Sequence, residues 1–324
     1  MKTLLVRAHE PSARGAGRAG RWPLPLWLLL GLLWLLPATG RAQQKVQVVA
    51  RTLEQSWPCP PGLVVRIRAE KATVKVRSWD RPTVRVVLRL SARHPERAVA
   101  EQDLPAARYR FGQSGSALDL INFFALPTGA AAVRSDLRAE YTVLMPAANA
   151  LQVVNAYGQT ELADLSGSLK LEQDFGQVTL QNLRGRLLAT VRYVDLTADN
   201  VQGDFTCEAS KSAVVLTDLA GTCVVRNYYG SVRVQPAPGL RKLTVVADRS
   251  EVVLSAPQPE LFAYQLSVQH GTLALPAAYE AARRGGSGGG SLSTPAGSPA
   301  RPLLKVSTSY APLTLQAQPL SSQL

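Results

Sequence analysis

The amino-acid sequence predicts an all-β, single-domain β-solenoid, similar in architecture to a parallel β-helix, with coils of 18 residues. Apolar residues recur at this period and lie two apart within each unit, which is the period of a β-strand. Units this small bury their apolar faces only by stacking on their neighbours, and a fixed period near 20 residues is typical of solenoids. Glycine recurs at the same interval, at Gly167, Gly185, Gly203, Gly221 and Gly239.

The first 42 residues predict a secretory signal that is not part of the fold. Basic residues precede an apolar run from Leu24 to Leu36, and the small residues Gly40 and Ala42 follow it. This order is typical of a signal peptide cleaved after Ala42. The run is shorter than the about 20 residues of a transmembrane helix, although retention of residues 22–38 as an anchor is the open alternative. The sequence therefore predicts an exported protein, periplasmic, at the cell surface or secreted, with no membrane span after cleavage.

Residues 43–145 are predicted to form a basic, strand-rich N-terminal part of the solenoid. Residues 43–110 contain 14 basic and 6 acidic side chains, and the basic residues alternate with apolar ones. Strand alternation turns the apolar set inward and lines the basic set on one outer face. That face is a candidate site for anionic polysaccharide or an envelope surface, and not for nucleic acid; the alternative is a solvated face that protects a sheet edge. Its residues are Arg66, Arg68, Lys75, Arg77, Arg85 and Arg89.

Residues 146–283 are predicted to form the regular coils, and one turn of each coil contains Asp or Asn ahead of glycine. Asp and Asn bond to their own backbone and start turns, which glycine closes in the left-handed conformation. A calcium column is the alternative, but two carboxylates and two amides supply too few of the six or more oxygens that calcium takes. We interpret the column as a turn ladder, formed by Asp164, Asn182, Asn200 and Asp218.

The other turn of each coil presents an aromatic residue, with Lys211 at one rung. Exposed aromatic rings can stack on sugars, so this column is a candidate glycan-stacking ladder. Aromatic rungs also stabilise stacked turns without a ligand. We favour the structural interpretation because these rungs adjoin conformationally demanding glycines. The aromatic residues are Tyr157, Phe175, Tyr193 and Tyr229.

The same pattern continues outside the regular coils. The segments 65–76, 243–254 and 304–315 repeat it, and 266–275 repeats it with a shorter turn. Residues 284–302 are rich in Gly, Ser and Pro and are predicted to form a flexible insert. The last coil is predicted at 303–316, followed by a loose tail at 317–324.

The three cysteines are predicted to be unpaired. Cys207 and Cys223 occupy adjacent coils but are two residues out of register, which places their α-carbons about 8 Å apart. A disulfide needs less than about 7 Å. Cys59 lies in a proline-rich loop, and no metal-binding spacing is present.

The chain is predicted not to be an enzyme and to bind no cofactor or metal. It contains no nucleophile elbow, phosphate loop, dinucleotide fingerprint or zinc motif. The rival interpretation is a polysaccharide-active parallel β-helix enzyme, with Asp174, Asp195 and Asp199 as the nearest candidates. Glycoside hydrolysis needs two carboxyls about 5 to 9.5 Å apart, whereas Asp195 and Asp199 would be about 13 Å apart along an extended strand.

The opening strands at 65–80 and the units at 156–162 and 174–180 carry a resemblance to a known family. With them, the chain resembles the bacterial "putative adhesin" family of exported β-solenoids over most of residues 46–316. The resemblance implies surface adhesion or, as a second role, an envelope-stress sensor module, and it transfers no site residues. We therefore expect a non-enzymatic binding or structural protein of the cell envelope that acts through multivalent contact.

Overall fold

The structure, a computed structural model, describes residues 46–126, 129, 132–286, 288–295, 297 and 301–320. The predicted signal at 1–42, including the candidate anchor at 22–38, lies outside the described residues. Within the described ranges, no helix has both the length and the apolar character needed to cross a membrane.

The described part of the chain is mostly β-strand, with two short helices and two 3-10 turns. The helices are α1 (Arg97–Asp103) and α2 (Ala277–Glu280), and the 3-10 turns are Leu104–Ala106 and Pro259–Leu261. The strands are β1 (Gln47–Pro58), β2 (Val64–Ala69), β3 (Ala72–Trp79), β4 (Thr83–His94), β5 (Ala107–Ser114), β6 (Ala117–Phe124), β7 (Asp136–Pro146), β8 (Ala150–Asn155), β9 (Gly158–Ala163), β10 (Leu169–Ser255), β11 (Ala263–Gln269), β12 (Leu273–Ala274), β13 (Gly289–Ser293), β14 (Leu303–Ser309) and β15 (Leu313–Gln316).

Across the described residues these 15 strands form one mixed sheet, ordered β1-β4-β7-β3-β9-β10-β8-β2-β6-β5, with β11 to β15 joined through β10. The order has free ends, so the sheet is open. The pairs β1–β4, β4–β7 and β5–β6 are antiparallel. Strands β2, β3, β8 and β9 pair in parallel with their neighbours toward β10.

Strands β8 and β9 pair in parallel with β10, and the paired residues are 18 apart in the sequence. Leu169 pairs with Leu151 in this register. Within β10, side chains at the same separation also bond, as Thr217 does to Asp199. Residues one period apart in the sequence are therefore neighbours across the sheet.

The strands before and after the turn at Lys71 belong to different ladders. Strand β2 pairs with β6 and β8, whereas β3 pairs with β7 and β9. Both strands nevertheless bury alternate apolar residues in one core, such as Ile67 on β2 and Val76 on β3. The chain therefore has two outer surfaces, one for each ladder, which meet at the turn.

All three cysteines are free and buried. Cys207 and Cys223 contribute to the core, as their positions in the inward columns predict. Burial raises the pKa of the Cys207 thiol to about 12, and the charge of Glu208 acts in the same direction. Cys59 is buried as well, although its surroundings predict a loop.

The segment 284–302, predicted to be flexible, differs from that expectation because it contains β13. This strand pairs antiparallel with β11, and Leu292 opposite Leu266 is buried in the core. Within this Gly/Ser-rich stretch, Leu292 is thus the apolar side chain that packs β13 onto the core beside β11.

Candidate functional site

A column of aromatic and cationic side chains follows the turns at which the two ladders meet. Every member except Tyr157 has a positive φ, between 46° and 59°. A side chain in this left-handed conformation costs about 1–2 kcal/mol, so contacts between rungs must offset it. This edge column contains, in spatial order, Lys71, Tyr157, Phe175, Tyr193, Lys211, Tyr229, Arg249, Tyr310 and His270.

The aromatic rings at the start of the edge column stack on one another. Tyr157 and Phe175 have centroids 5.1 Å apart and planes inclined by 9°, and Phe175 and Tyr193 have values of 4.9 Å and 6°. Lys211 places Nζ 4.9 Å from the centre of the Tyr193 ring. Both faces of Phe175 and Tyr193 are therefore covered. Within the described part of the chain, Tyr157 has such a contact on one face only, and its other face is directed toward the Lys71 rung.

Cations fill the gaps between the other aromatic rungs. The guanidinium of Arg249 lies 5.3 Å from the Tyr229 ring centre and 5.4 Å from that of Tyr310. Tyr310 stacks on His270 at 4.8 Å and 12°. Such cation–π contacts favour the charged form of the cation and help to hold the turn. The edge column thus extends from Lys71 to Tyr310 and His270.

Buried amide side chains support the turns from the inside. Nδ2 of Asn155 donates to the carbonyl oxygen of Ala72 at 3.1 Å. Nε2 of Gln173 donates to the carbonyl oxygens of Gly158 and Gln177, both at 3.0 Å. Because an unpaired buried carbonyl costs about 1–3 kcal/mol, these amides stabilise the conformation that presents the edge column.

The turns on the opposite edge carry the predicted Asp/Asn column. Nδ2 of Asn182 donates to Oδ1 of Asp164, and Nδ2 of Asn200 donates to Oδ1 of Asn182, each at 2.9 Å. These residues and Asp218 have φ between 51° and 60°. This is the geometry of a turn ladder. Among the described residues, no cluster of three or more His, Cys, Asp or Glu side chains is arranged to hold a metal ion.

The six residues of the predicted basic face lie on both outer surfaces. Arg66 and Arg68 are on β2, in the ladder that precedes the turn. The other four are on β3 and β4, in the ladder that follows it. The predicted single face is therefore divided, because the chain turns at Lys71 between its two halves.

Three of these six cations are ion-paired. Lys75 lies 3.0 Å from Glu161, Arg85 lies 2.7 Å from Glu54, and Arg89 lies 3.3 Å from Glu140. The other three form no ion pair with a described residue, although Arg66 lies opposite Asp119 in the pairing of β2 with β6. They are Arg66, Arg68 and Arg77.

A cleft of about 560 Å³ opens at the Tyr157 end of the edge column. It lies where the end of β4 meets the beginnings of β7, β3 and β9. Its lining combines one aromatic ring, three cations, two acids and several hydrogen-bonding side chains. The lining residues are Lys71, Ala72, Thr73, Arg93, Asp136, Arg138, Ala139, Glu140, Tyr157, Gly158, Gln159, Gly176 and Gln177.

The acids of the cleft are neutralised, whereas two of its cations are not. Asp136 accepts a hydrogen bond from Nε of Arg138 at 2.8 Å, and Glu140 is bound by Arg89 outside the lining. Lys71 and Arg93 form no ion pair with a described residue. The cleft therefore has an excess of positive charge.

Arg93 also contains a polar atom that the fold does not satisfy. Its Nε is buried and has no hydrogen-bond partner among the described residues. Its Cα partner in the ladder is Asp136, but that carboxylate is bound to Arg138. The 18-residue period does not single out Arg93, because its neighbours come from the antiparallel pairing of β4 and β7. Its position at the end of an alternating strand was the only available signal.

Two of the three candidate carboxylates of the rival enzymatic interpretation accept hydrogen bonds from other side chains. Arg192 donates to both oxygens of Asp174, at 2.6 and 2.8 Å. Asp199 accepts a hydrogen bond from Thr217 at 2.6 Å. Asp195 is exposed and follows the edge-column residue Tyr193, whereas Asp174 precedes the edge-column residue Phe175, so the two side chains lie on different ladders.

No protein-family model and no curated protein matches the chain. Among solved structures, a putative cell adhesion protein from Clostridium sporogenes is 9% identical, covers 82% of this chain and 99% of its own, and has a TM-score of 0.23. A putative lipid binding protein from Parabacteroides distasonis is 8% identical, with coverages of 82% and 96% and a TM-score of 0.36. At these TM-scores, neither likeness bears on the fold or the function of this chain.

Proposed function

We propose that the chain is an exported, non-enzymatic β-solenoid that binds anionic polymer, such as acidic polysaccharide, at the cell envelope. One observation carries the proposal: the first coil retains unpaired cations on both outer surfaces and at the turn between them. Arg66 and Arg68 lie on one surface, Arg77 on the other and Lys71 at the turn. The predicted signal peptide supports export, and the resemblance to adhesins agrees with a role at the envelope.

The mechanism is multivalent electrostatic contact with a rigid surface. Each unpaired cation attracts an anionic group only weakly in water. The hydrogen-bonded turns hold neighbouring cations at fixed spacing, so several groups of one polymer bind together and gain avidity. The attraction is screened by salt, since the cations are at least partly exposed.

Binding of the purified protein to an array of acidic and neutral glycans, at low and high salt, tests the proposal. We expect retention on acidic glycans that weakens as salt rises. The triple variant Arg66→Ser, Arg68→Ser, Arg77→Ser should bind about tenfold more weakly, because three exposed charges contribute about 0.5 kcal/mol each. A matched triple variant on later coils, Arg184→Ser, Arg186→Ser, Arg233→Ser, removes exposed arginines and should bind as the wild type does.

Three outcomes would contradict the proposal. Cleavage products from any glycan would show an enzyme. Equal losses in the two triple variants would show attraction to net charge without a defined surface. Absence of binding at both salt concentrations would favour a purely structural or sensor role.

A further inference from the structure

We infer that the cleft beside Tyr157 binds a carboxylate-bearing sugar residue, with the sugar ring on the free face of Tyr157 and the carboxylate at Arg93 and Lys71. This inference deepens the proposed function and rests on its ligand class, acidic polysaccharide. It adds a defined site with a preference for one chemical group.

The cleft has the size and mixed lining of a small-ligand site. Its volume of about 560 Å³ lies within the range of about 300–1,000 Å³ that is typical of such pockets. Thr73, Gln159 and Gln177 contribute a hydroxyl and two amides to the lining. Such groups can donate to and accept from the hydroxyls of a sugar.

Charge gives the cleft its preference for an anion. The two acids in the lining are each held by an arginine, while Lys71 and Arg93 are unpaired among the described residues. Both of these cations line the cleft, and the Nε of Arg93 is itself buried without a hydrogen-bond partner among the described residues. Guanidinium groups pair with carboxylates through charge-assisted hydrogen bonds, which are shorter and stronger than neutral ones.

Ring geometry places the sugar at this end of the edge column. Sugars stack on the face of an aromatic ring, and the inner rings have both faces covered by neighbouring rungs. Among the described residues, no ring stacks on the face of Tyr157 toward Lys71, and Tyr157 is 49% exposed and lines the cleft. The predicted glycan-stacking ladder thus offers one stacking platform, beside the two unpaired cations.

Phosphate and acidic sugar share the negative charge that Arg93 and Lys71 would bind. The free face of the Tyr157 ring distinguishes an acidic sugar from phosphate, because only the sugar has an apolar ring surface that can stack on it. A neutral sugar, in turn, could use the ring but not the cations. The site should therefore bind an acidic oligosaccharide more tightly than either partial ligand.

Isothermal titration calorimetry of the full chain tests this inference with three probes: trigalacturonate, its methyl ester and inorganic phosphate. We expect trigalacturonate to bind at least about tenfold more tightly than either other probe, since hydrogen bonds between charged groups are stronger than neutral ones. Arg93→Gln should weaken trigalacturonate binding about tenfold. Tyr157→Ala should weaken it about fivefold through loss of the ring.

Two matched variants are the controls, and both should bind trigalacturonate as the wild type does. Arg233→Gln removes an exposed arginine that lies outside the cleft and outside the cations of the proposed function. Tyr193→Asn removes a ring whose two faces are covered, and asparagine tolerates its left-handed backbone. Thermal unfolding of every variant establishes that it is folded before its binding is compared.

Other outcomes overturn the inference. Phosphate binding as tight as trigalacturonate binding would show a general anion site. Equal effects of Arg93→Gln and Arg233→Gln would place the ligand elsewhere. No trigalacturonate binding, combined with retention on the acidic array, would refute the cleft while leaving the proposed function intact. Loss of both kinds of binding would refute the two together.

Discussion

The buried carboxylate of Asp103, at the end of α1, binds the segment of chain that enters β7. Its Oδ2 accepts hydrogen bonds from the backbone N–H groups of Ser135 and Arg134, at 2.8 and 2.9 Å. Burial favours the neutral acid, but the hydrogen bonds from Ser135 and Arg134 outweigh it and hold the pKa of Asp103 below its usual value. Asp136, which lines the cleft, is the next residue, so the contact also positions one wall of the cleft.

The depressed pKa of Asp103 predicts a pH-dependent contribution to stability. A carboxylate with a lower pKa in the folded state stabilises the fold above its unfolded pKa of about 3.9, and that stability is lost as pH falls through the folded value. We expect Asp103→Asn to lower the free energy of unfolding by about 1 kcal/mol at neutral pH. The deficit should shrink below about pH 4, as measured by urea denaturation across pH.

Asp195→Asn, at an exposed aspartate, is the control and should change stability little at any pH. A deficit for Asp103→Asn that stays constant down to the lowest pH would mean that the ionised carboxylate contributes nothing. The side chain would then act through its shape alone.

At the scale of the turn, hydrogen bonds between rungs offset the cost of left-handed residues. Asn182 illustrates this balance, since its φ is 52° and its amide bonds to the rungs on both sides. An asparagine reaches this conformation more readily than most residues with a side chain. Alanine would lack both advantages, whereas glycine would lack only the hydrogen bonds.

Replacement of Asn182 separates these two effects. Asn182→Ala should lower the free energy of unfolding by about 2 kcal/mol, from backbone strain and lost hydrogen bonds together. Asn182→Gly should cost about half as much, because glycine adopts positive φ without strain. Urea denaturation of the two variants and the wild type measures the difference. Equal losses would show that backbone strain is unimportant at this turn.

At the scale of the whole sheet, the separation of 18 residues between paired strands predicts which deletions the fold tolerates. Deletion of residues 187–204 removes one full period and joins Arg186 to Phe205. Arg186 then takes the place of Asp204, which is 18 residues later in the sequence, so every inward-facing position still faces inward. We expect this variant to retain its β-sheet circular dichroism and cooperative thermal unfolding, because each unit contacts only its neighbours.

Deletion of residues 187–203 is the matched control. It removes one residue fewer and moves the following side chains to the opposite face of the strand. This variant should aggregate or lose its cooperative transition. If both deletions were tolerated equally, the register would not be what organises the sheet.

The period in the sequence predicted those features of the fold that depend on neighbouring units. Strand alternation, the left-handed turns and the edge column all follow from residues that recur at one spacing, as Phe175 and Tyr193 do. Features that depend on distant pairing were not predictable. Arg93 meets the cleft through an antiparallel register between β4 and β7, and Leu292 orders a Gly/Ser-rich stretch by reaching the edge of β11.

The division of the basic residues was not predicted for a related reason. Apolar and basic residues alternate in the same way in β2 and in β3, so the sequence predicts that the arginines of both strands face outward. It does not show that the two strands face outward on different surfaces. The turn at Lys71 separates the two ladders, and its geometry depends on contacts with the Tyr157 rung. The candidate cleft lies at this junction, where local pattern carries the least information.

The edge column makes the length of this protein an evolvable quantity. Each rung contacts the next through side chains that recur with the sequence period. If one unit inside β10 were duplicated in frame, the new unit would therefore make the same contacts with the units on either side. Such a duplication would extend the sheet without creating a new sheet edge and without altering the cleft beside Tyr157. Binding and length would then be free to change under separate selection.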